Sequence, residues 1–317
     1  MDNLYQANAV AYLPLNLNVN HLRVIMAIIY HLQETIKAGL KQTVPEQVAD
    51  EPSILIIPVG DFHLGKCTGT RLRNCLDDLT GLGTHDLSIS IISKTRPVRT
   101  SIIEDYEFPL YAHEVTLYLI PEVVTLFTNT RAGYFSYSFN LALSLTSKYT
   151  LRLYWLVCSW RNRGGFVIQL DELRRILCLG TAYNRFDNIA ARILQPAQNE
   201  LRERFPVWFL YKYCPGKEPQ LAFKIRVHLS PAEQKQLRAD TYDTCFHLLA
   251  AAGMSSALPT LDPVFVSLDP ADYRPFLHHL TKILAYIRTH TISNPTAYLK
   301  ASLESWIADW TLHFQDD

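Results

Sequence analysis

Two stretches of this chain carry the same succession of hydrophobic patterns, and that succession leaves few folds open. In the first, Leu22, Ile25, Met26, Ile29, Leu32 and Ile36 fall on one face of a helix spanning Val19 to Ile36. A loop with Pro45 and Pro52 leads to a strand, Ile54 to Val59. A short helical piece, Asp61 to Leu64, a break at Gly65 and a helix from Thr70 to Leu82 follow. Strand patterns come next at Leu87 to Ser93, Arg99 to Ile103 and Glu114 to Ile120. In the second stretch Tyr149, Leu153, Leu156, Val157 and Trp160 make a helical face, which Arg161-Asn162-Arg163-Gly164-Gly165 ends. Phe166 to Leu170 is a strand, Asp171 to Leu177 a helix capped by its aspartate, and Leu179-Gly180 a turn. Asn184 to Glu203 is a long helix closed by Pro206. A hairpin, Val207 to Tyr213 with Leu221 to Leu229, folds around Cys214-Pro215-Gly216-Lys217-Glu218-Pro219.

Helix, strand, short helix, turn, helix and hairpin, in that order, make a winged helix: a helix-turn-helix whose second helix is followed by a β-hairpin wing. The patterns therefore predict an α+β chain of two tandem winged-helix domains, residues 1–145 and 146–230, followed by a small C-terminal helical region, 231–317. In that last region Pro231 to Ala252 and Asp269 to Thr289 read as helices joined by a Gly/Ser/Pro linker, Gly253 to Pro263. Asn294-Pro295 opens a third, whose apolar stripe of Leu299, Leu303, Trp306, Ile307, Trp310 and Phe314 is expected to pack on its own region. At 317 residues the chain exceeds the ~250–300 at which a single core stops growing, which agrees with several cores.

Charge is distributed unevenly over these parts. Residues 1–130 hold nine Lys and Arg against fourteen Asp and Glu, residues 131–229 fifteen against six, and residues 230–317 six against ten. The middle third is thus basic by nine in a chain whose formal net charge is zero, and it marks a module for a polyanion. No apolar run reaches the roughly 18 residues that a membrane span needs, and the start lacks a secretory signal pattern. A soluble, cytoplasmic protein without a membrane partner is expected. Six scattered cysteines with no CxxC or CxH pairing read as free, mostly buried thiols.

On the helix from Asn184 to Glu203, Ile189, Ile193, Ala197 and Leu201 recur every four residues toward a core. Opposite them stand Arg185, Asn188, Arg192, Gln195, Asn199 and Arg202, a face without a carboxylate. Arg pairs with guanine O6 and N7, and Asn and Gln with adenine N6 and N7, so this face suits major-groove reading of double-stranded DNA. Pro196 cannot donate to the Arg192 carbonyl and predicts a bend. Lys148, Arg152, Arg161, Arg163, Arg174, Arg175, Lys217, Lys224 and Arg226 are candidates for phosphate contacts, with Lys217 at the wing tip. The first domain offers Arg71, Arg73 and Asn74 on its corresponding helix. Asp77 and Asp78 follow them there and weaken phosphate binding, so this helix binds DNA more weakly or serves in protein contacts.

Catalysis finds little support. Gly60-Asp61-Phe62-His63-Leu64-Gly65-Lys66-Cys67 matches the GxxxxGK phosphate loop, but Cys67 stands where Ser or Thr should meet magnesium and no βα alternation follows. A nucleotide hydrolase is kept as a reading from a different class, as is a scaffold acting through the C-terminal stripe. His278 and His279 are adjacent, not His-x-His, so no nicking-enzyme metal pair is present, and neither a serine elbow nor paired catalytic carboxylates are found. The expectation is a protein with no catalytic residues, no metal and no cofactor.

The stretch from Ser147 to Arg204 resembles the winged-helix plasmid replication initiators, the Rep proteins that bind iterons. Ser147, Tyr149, Arg152, Leu153 and Tyr154 match the Ser-x-Tyr-x-x-Arg-Leu-Tyr helix that opens the family's second winged helix. Glu172-Leu173-Arg174, Tyr183 and the run from Ile193 to Leu201 with its Pro196 follow in the family's order, and Val115 to Phe127 resembles its first domain. The resemblance covers residues 20–229. It implies binding to repeated sites at a plasmid origin, opening of the adjacent duplex, recruitment of the host initiator and replicative helicase, and a homodimer that represses its own gene. A winged-helix transcriptional repressor is the neighbouring reading; one inverted repeat instead of an array of direct repeats would mark it.

Overall fold

The computed structural model describes residues 3–41, 53–65, 68–80, 89–92, 97–131 and 133–312. Pro45, Pro52, Lys66, Cys67 and Phe314, which entered the sequence reading, lie outside them. The chain opens with β1 (Asn3–Ala7) and α1 (Asn8–Tyr12). The stretch expected as one helix is two, α2 (Val19–His31) and α3 (Gln33–Lys41), parted at Leu32. Beside that break the Gln33 amide accepts from the Tyr5 N–H and donates to the Tyr5 carbonyl, both at 2.8 Å, pairing with β1 as a peptide group would.

There follow β2 (Ser53–Pro58), a 3-10 turn (Val59–Phe62), α4 (Thr68–Thr80), β3 (Ile89–Ile92), β4 (Pro97–Thr100), β5 (Ile103–Glu107) and β6 (Glu114–Leu119). After α5 (Pro121–Thr128), β7 (Tyr134–Ser138) pairs antiparallel with β1, and α6 (Phe139–Ser144) closes the segment. The β1–β7 pair had no strong sequence signal, since each strand is five residues long. It changes the surroundings of α2: Val24, Ala27 and Ile28 are as buried as Leu22, Ile25, Met26 and Ile29, so the helix is enclosed and not merely one-sided. Each of these buried side chains other than Ala27 contributes roughly 1.5–3 kcal/mol.

The second motif runs α7 (Lys148–Trp160), β8 (Gly165–Gln169), α8 (Leu170–Ile176), α9 (Phe186–Ile189), a π-turn (Ala190–Leu194), α10 (Gln195–Arg204), β9 (Val207–Cys214) and β10 (Gln220–Val227). Its sheet has the order β8-β10-β9 and that of the first motif β2-β6-β5, all antiparallel, with the first strand of each motif paired to its last. The repeated pattern in the sequence is therefore a repeated topology.

The C-terminal region holds α11 (Pro231–Ala251), α12 (Asp262–Ser267), α13 (Tyr273–Thr289) and α14 (Pro295–Leu312). A capping box starts α11: Ser230 accepts from the Glu233 N–H, and Glu233 from the Ser230 N–H. The expected linker is corrected here. Ser255–Leu261 is a 3-10 helix leading into α12, and Ala257, Leu261, Val264 and Phe265 are buried in the same core as Leu299 and Leu303. Those apolar residues within the Gly/Ser/Pro run made it an element and not a spacer.

By compactness the chain divides into residues 1–159 with 171–199, and residues 160–170 with 200–317. Motif order and compactness thus partition the second motif differently: α8 and α9 belong to one unit, its strands to the other.

His21 joins two elements of the first motif. Its Nδ1 accepts from the Asn18 N–H, completing the α2 capping box, and its Nε2–H donates to Asp78 on α4 at 3.0 Å. The acceptor role requires the neutral ring, and burial holds the imidazole below its usual range against the pull of Asp78. The unfolded chain then binds the proton more readily, so this contribution is present above pH ~6.5 and is lost as the pH falls below it. Thermal melts at pH 7.5 and 5.0 should show a larger drop in Tm for the wild type than for His21→Gln; equal drops would remove His21 from the acid response.

Candidate nucleic-acid interface

The helical run from Phe186 to Arg204 is the structure's candidate reading element. Its inward residues, Ile189, Ile193, Leu194, Ala197 and Leu201, are all at most 2 % exposed. On a regular helix, positions four apart drift by about 40° per step. The π-turn absorbs this drift: the Gln195 N–H donates to the Ala190 carbonyl, five residues back. The wide turn also lies directly before Pro196, so the expected bend takes the form of a π-bulge.

Arg185, Arg192, Gln195, Asn199 and Arg202 are exposed along this run and Asn188 is half-buried. Gln195 donates to both Gln198 and Asn199, at 3.1 and 3.0 Å, which pre-orients two amides on the surface. Two points differ from the expectation. The face is not free of carboxylates, because Asp187 pairs with Arg185 at 3.1 Å, both well exposed. The Arg202 guanidinium lies 5.1 Å from the Trp208 ring centroid, which draws it toward β9. Arg192 is exposed with no ion-pair partner among the described residues.

Two of the nine cations expected on phosphate are internal, and a third, Arg226, is half-buried against an internal carboxylate. Arg152 is 3 % exposed, and its guanidinium donates to the carbonyls of Val10, Ala11, Leu13 and Ile176. Burial lowers its pKa to about 10, which leaves it charged at neutral pH. Lys224 is 4 % exposed and pairs with Asp272 at 3.3 Å; Arg226 pairs with Asp269 and Asp272 at 3.3 and 3.5 Å. Each is withdrawn as a phosphate contact because its charge is spent inside the fold.

The other six remain toward solvent. Lys148 lies over the Tyr149 ring and Arg163 over that of Trp160. Arg174 and Arg175 carry local partners, Asp171 and Glu172, and Arg174 also donates to the Asn184 carbonyl ahead of α9. Arg161 is half-buried, and Lys217 is exposed in the β9–β10 turn. Tyr149 and Tyr183 meet edge to face at 6.1 Å.

The first motif is built differently. On α4, Asn74 is exposed, but Arg71 donates to the Leu64 carbonyl and Arg73 to that of Phe108, over whose ring it also lies. Its wing tip carries no cation: Leu110 and Tyr111 are 75 % and 90 % exposed, and Tyr111 has φ 64°. Sequence reading missed this apolar tip, although Pro109-Leu110-Tyr111 between two strands was the available signal. The described part of the GxxxxGK-like segment, Gly60–Gly65, follows a strand in an antiparallel sheet and begins within the 3-10 turn Val59–Phe62, with Arg71 on its Leu64 carbonyl. Among the described residues no group of three His, Cys, Asp or Glu could hold a metal ion, and no helix is long and apolar enough to cross a membrane.

Two family models match the chain, "Initiator Replication protein, WH1" over residues 3–158 and "Initiator Rep protein, WH2" over residues 169–217. Among solved structures it is similar to the Pi initiator protein, crystallised in complex with iteron DNA. The two are 15 % identical with a TM-score of 0.52, and the match covers 72 % of this chain and 98 % of that one. No curated protein matches the chain.

Because Arg152 is internal, Arg152→Met should cost at least about 1–3 kcal/mol in urea denaturation, the range for leaving a buried carbonyl without its donor. The folded variant should keep the wild-type salt dependence of DNA binding, whereas a slope lowered by about 1 would return Arg152 to the phosphates.

Proposed function

The chain belongs to the family of initiator Rep proteins with two winged helices, and on that premise we propose that it initiates plasmid replication by binding iterons, repeated double-stranded sites at the origin. The observation that carries the reading is the exposed Arg192, Gln195 and Asn199 on a helical run fixed by its π-turn. In this reading Arg192 and the two amides meet base edges in the major groove, with Arg185, Asn188 and Arg202 flanking them. Lys217 on the wing and Lys148, Arg161, Arg163, Arg174 and Arg175 hold the backbone, which sets register without reading sequence. The similarity to the Pi initiator, a protein solved on iteron DNA, supports the ligand class.

The first winged helix takes a smaller part in base reading, with Asn74 as its exposed polar group and Arg71 and Arg73 turned to carbonyls. DNA held in this way is opened next to the repeats, the host initiator and replicative helicase join there, and a homodimer on an inverted repeat represses the initiator's own gene. The protein acts in the cytoplasm, where plasmid DNA is, and works by binding, without a catalytic step of its own.

Fluorescence anisotropy on DNA from immediately upstream of its gene, against shuffled DNA over ~50–200 mM salt, tests the core of this reading. A site preference of roughly 10³ is expected, and footprints on direct repeats separate an initiator from a repressor on one inverted repeat. Equal, salt-labile binding to both DNAs would end the sequence-specific reading. Within it, Arg192→Ala should lose about 1–3 kcal/mol of discrimination while binding to shuffled DNA changes little. Equal losses on both DNAs would remove Arg192 from base reading. Lys217→Ala should weaken both DNAs alike and lower the salt slope by about 1.

A further inference from the structure

The strand β10 is gripped on both faces. Leu221, Phe223 and Ile225, each at most 1 % exposed, point one way, where Phe223 stacks on Phe166 at 4.7 Å and meets Phe209 at 5.3 Å. Ala222, Lys224 and Arg226 point the other way, as strand alternation requires. That second face would be solvent in a bare three-stranded wing sheet, yet Ala222 is 2 % and Lys224 4 % exposed.

Residues at the start of α13 cover it. Asp272 is the N-cap residue of α13, a position where an aspartate ordinarily accepts from its own helix, but its side chain makes no capping bond. The carboxylate reaches Lys224 and Arg226 instead, and Asp269, one 3-10 turn earlier, reaches Arg226. Two further contacts fix the same place. Gly164, at φ 73°, leaves space where a Cβ would come within 2.1 Å of Pro275 Cγ, and Arg274 donates to the Asn162 side chain. The Gly164 carbonyl in turn accepts from the Ile225 N–H of β10 at 2.7 Å.

We propose that Asp269 and Asp272 are positioning residues for DNA binding: by holding Lys224 and Arg226 they fix β10, and with it the β9–β10 wing that presents Lys217. The region beyond residue 230, outside both family models, is in this inference a structural part of the DNA-binding unit and not an appendage to it. The proposal rests on the reading of Lys217 as a phosphate contact, since its effect is seen through that residue.

The test is a double-mutant cycle on the full chain, with anisotropy on the upstream DNA across the same salt range for wild type, Lys217→Ala, Asp272→Asn and the double variant. Lys217→Ala should weaken wild-type binding about fivefold at a fixed salt, in the range of one lost phosphate contact. It should weaken Asp272→Asn by less than about twofold, because a released wing has already lost the contact. Equal effects in the two backgrounds would overturn the proposal. Should Asp272→Asn fail to fold by its circular-dichroism melt, Asp269→Asn, at a half-exposed carboxylate, makes the same comparison with the same criterion. If Lys217→Ala has no effect even in the wild type, the phosphate reading of the wing is what fails. The anchor is then judged by amide hydrogen exchange over residues 207–227: exchange about tenfold faster in the aspartate variant supports it, and unchanged exchange overturns it.

Discussion

A guanidinium without water must find carbonyls, and that need organises residues 1–159 with 171–199. Arg152 sits in the middle of α7 among Leu151, Leu153, Tyr154 and Trp155, all buried. Its donors reach the chain at Val10, Ala11 and Leu13 and again at Ile176, the end of α8. These carbonyls lie in the last turn and C-cap of α1 and where α8 stops, where backbone acceptors have no partner in their own helix. One planar side chain therefore satisfies several segment ends at once, and it ties the N-terminal residues to α8, which precedes the helical run from Phe186. A lysine could not, because it lacks the fork.

The order of elements could be read from the sequence because each depended on a local pattern. The apolar periodicity of α2 and α7, the glycines after Trp160 and the turn residues from Pro215 to Pro219 all act within a few residues of themselves. What could not be read was where charge goes. Arg152, Lys224 and Arg226 were counted with the surface cations because a charge tally has no inside. For Arg152 a signal existed, since a helix whose neighbouring residues are apolar all round is enclosed, and an arginine within it is enclosed too. For Lys224 and Arg226 the partners are about fifty residues away, in a segment whose acidity read only as a separate region's excess. The β1–β7 pair was missed for the same reason, as each strand is too short to declare itself without the other.

These placements alter the electrostatic picture. The excess of nine positive charges in residues 131–229 falls to six once Arg152, Lys224 and Arg226 are set aside as held by partners within the fold. The acidity of the C-terminal region is partly consumed by the same pairs. Uneven charge along the sequence thus has two parts: one left at the surface, and one paired within the fold. The two wings express the difference. One ends in an exposed lysine, the other in leucine and tyrosine beside an arginine already bound to Phe108.

The π-turn before Pro196 bears on how binding specificity can be moved between proteins of this kind. It sets the angular phase between the residues preceding it and those following it, so Asn188 and Asn199 keep their relative azimuth only while the turn keeps its extra width. Single letters exchanged into a helix of ordinary pitch would then carry the right side chains at the wrong azimuth. In the reading proposed above, specificity is a cassette, residues 185–202 with their proline, and its information lies in the winding of the backbone as much as in the identity of the side chains.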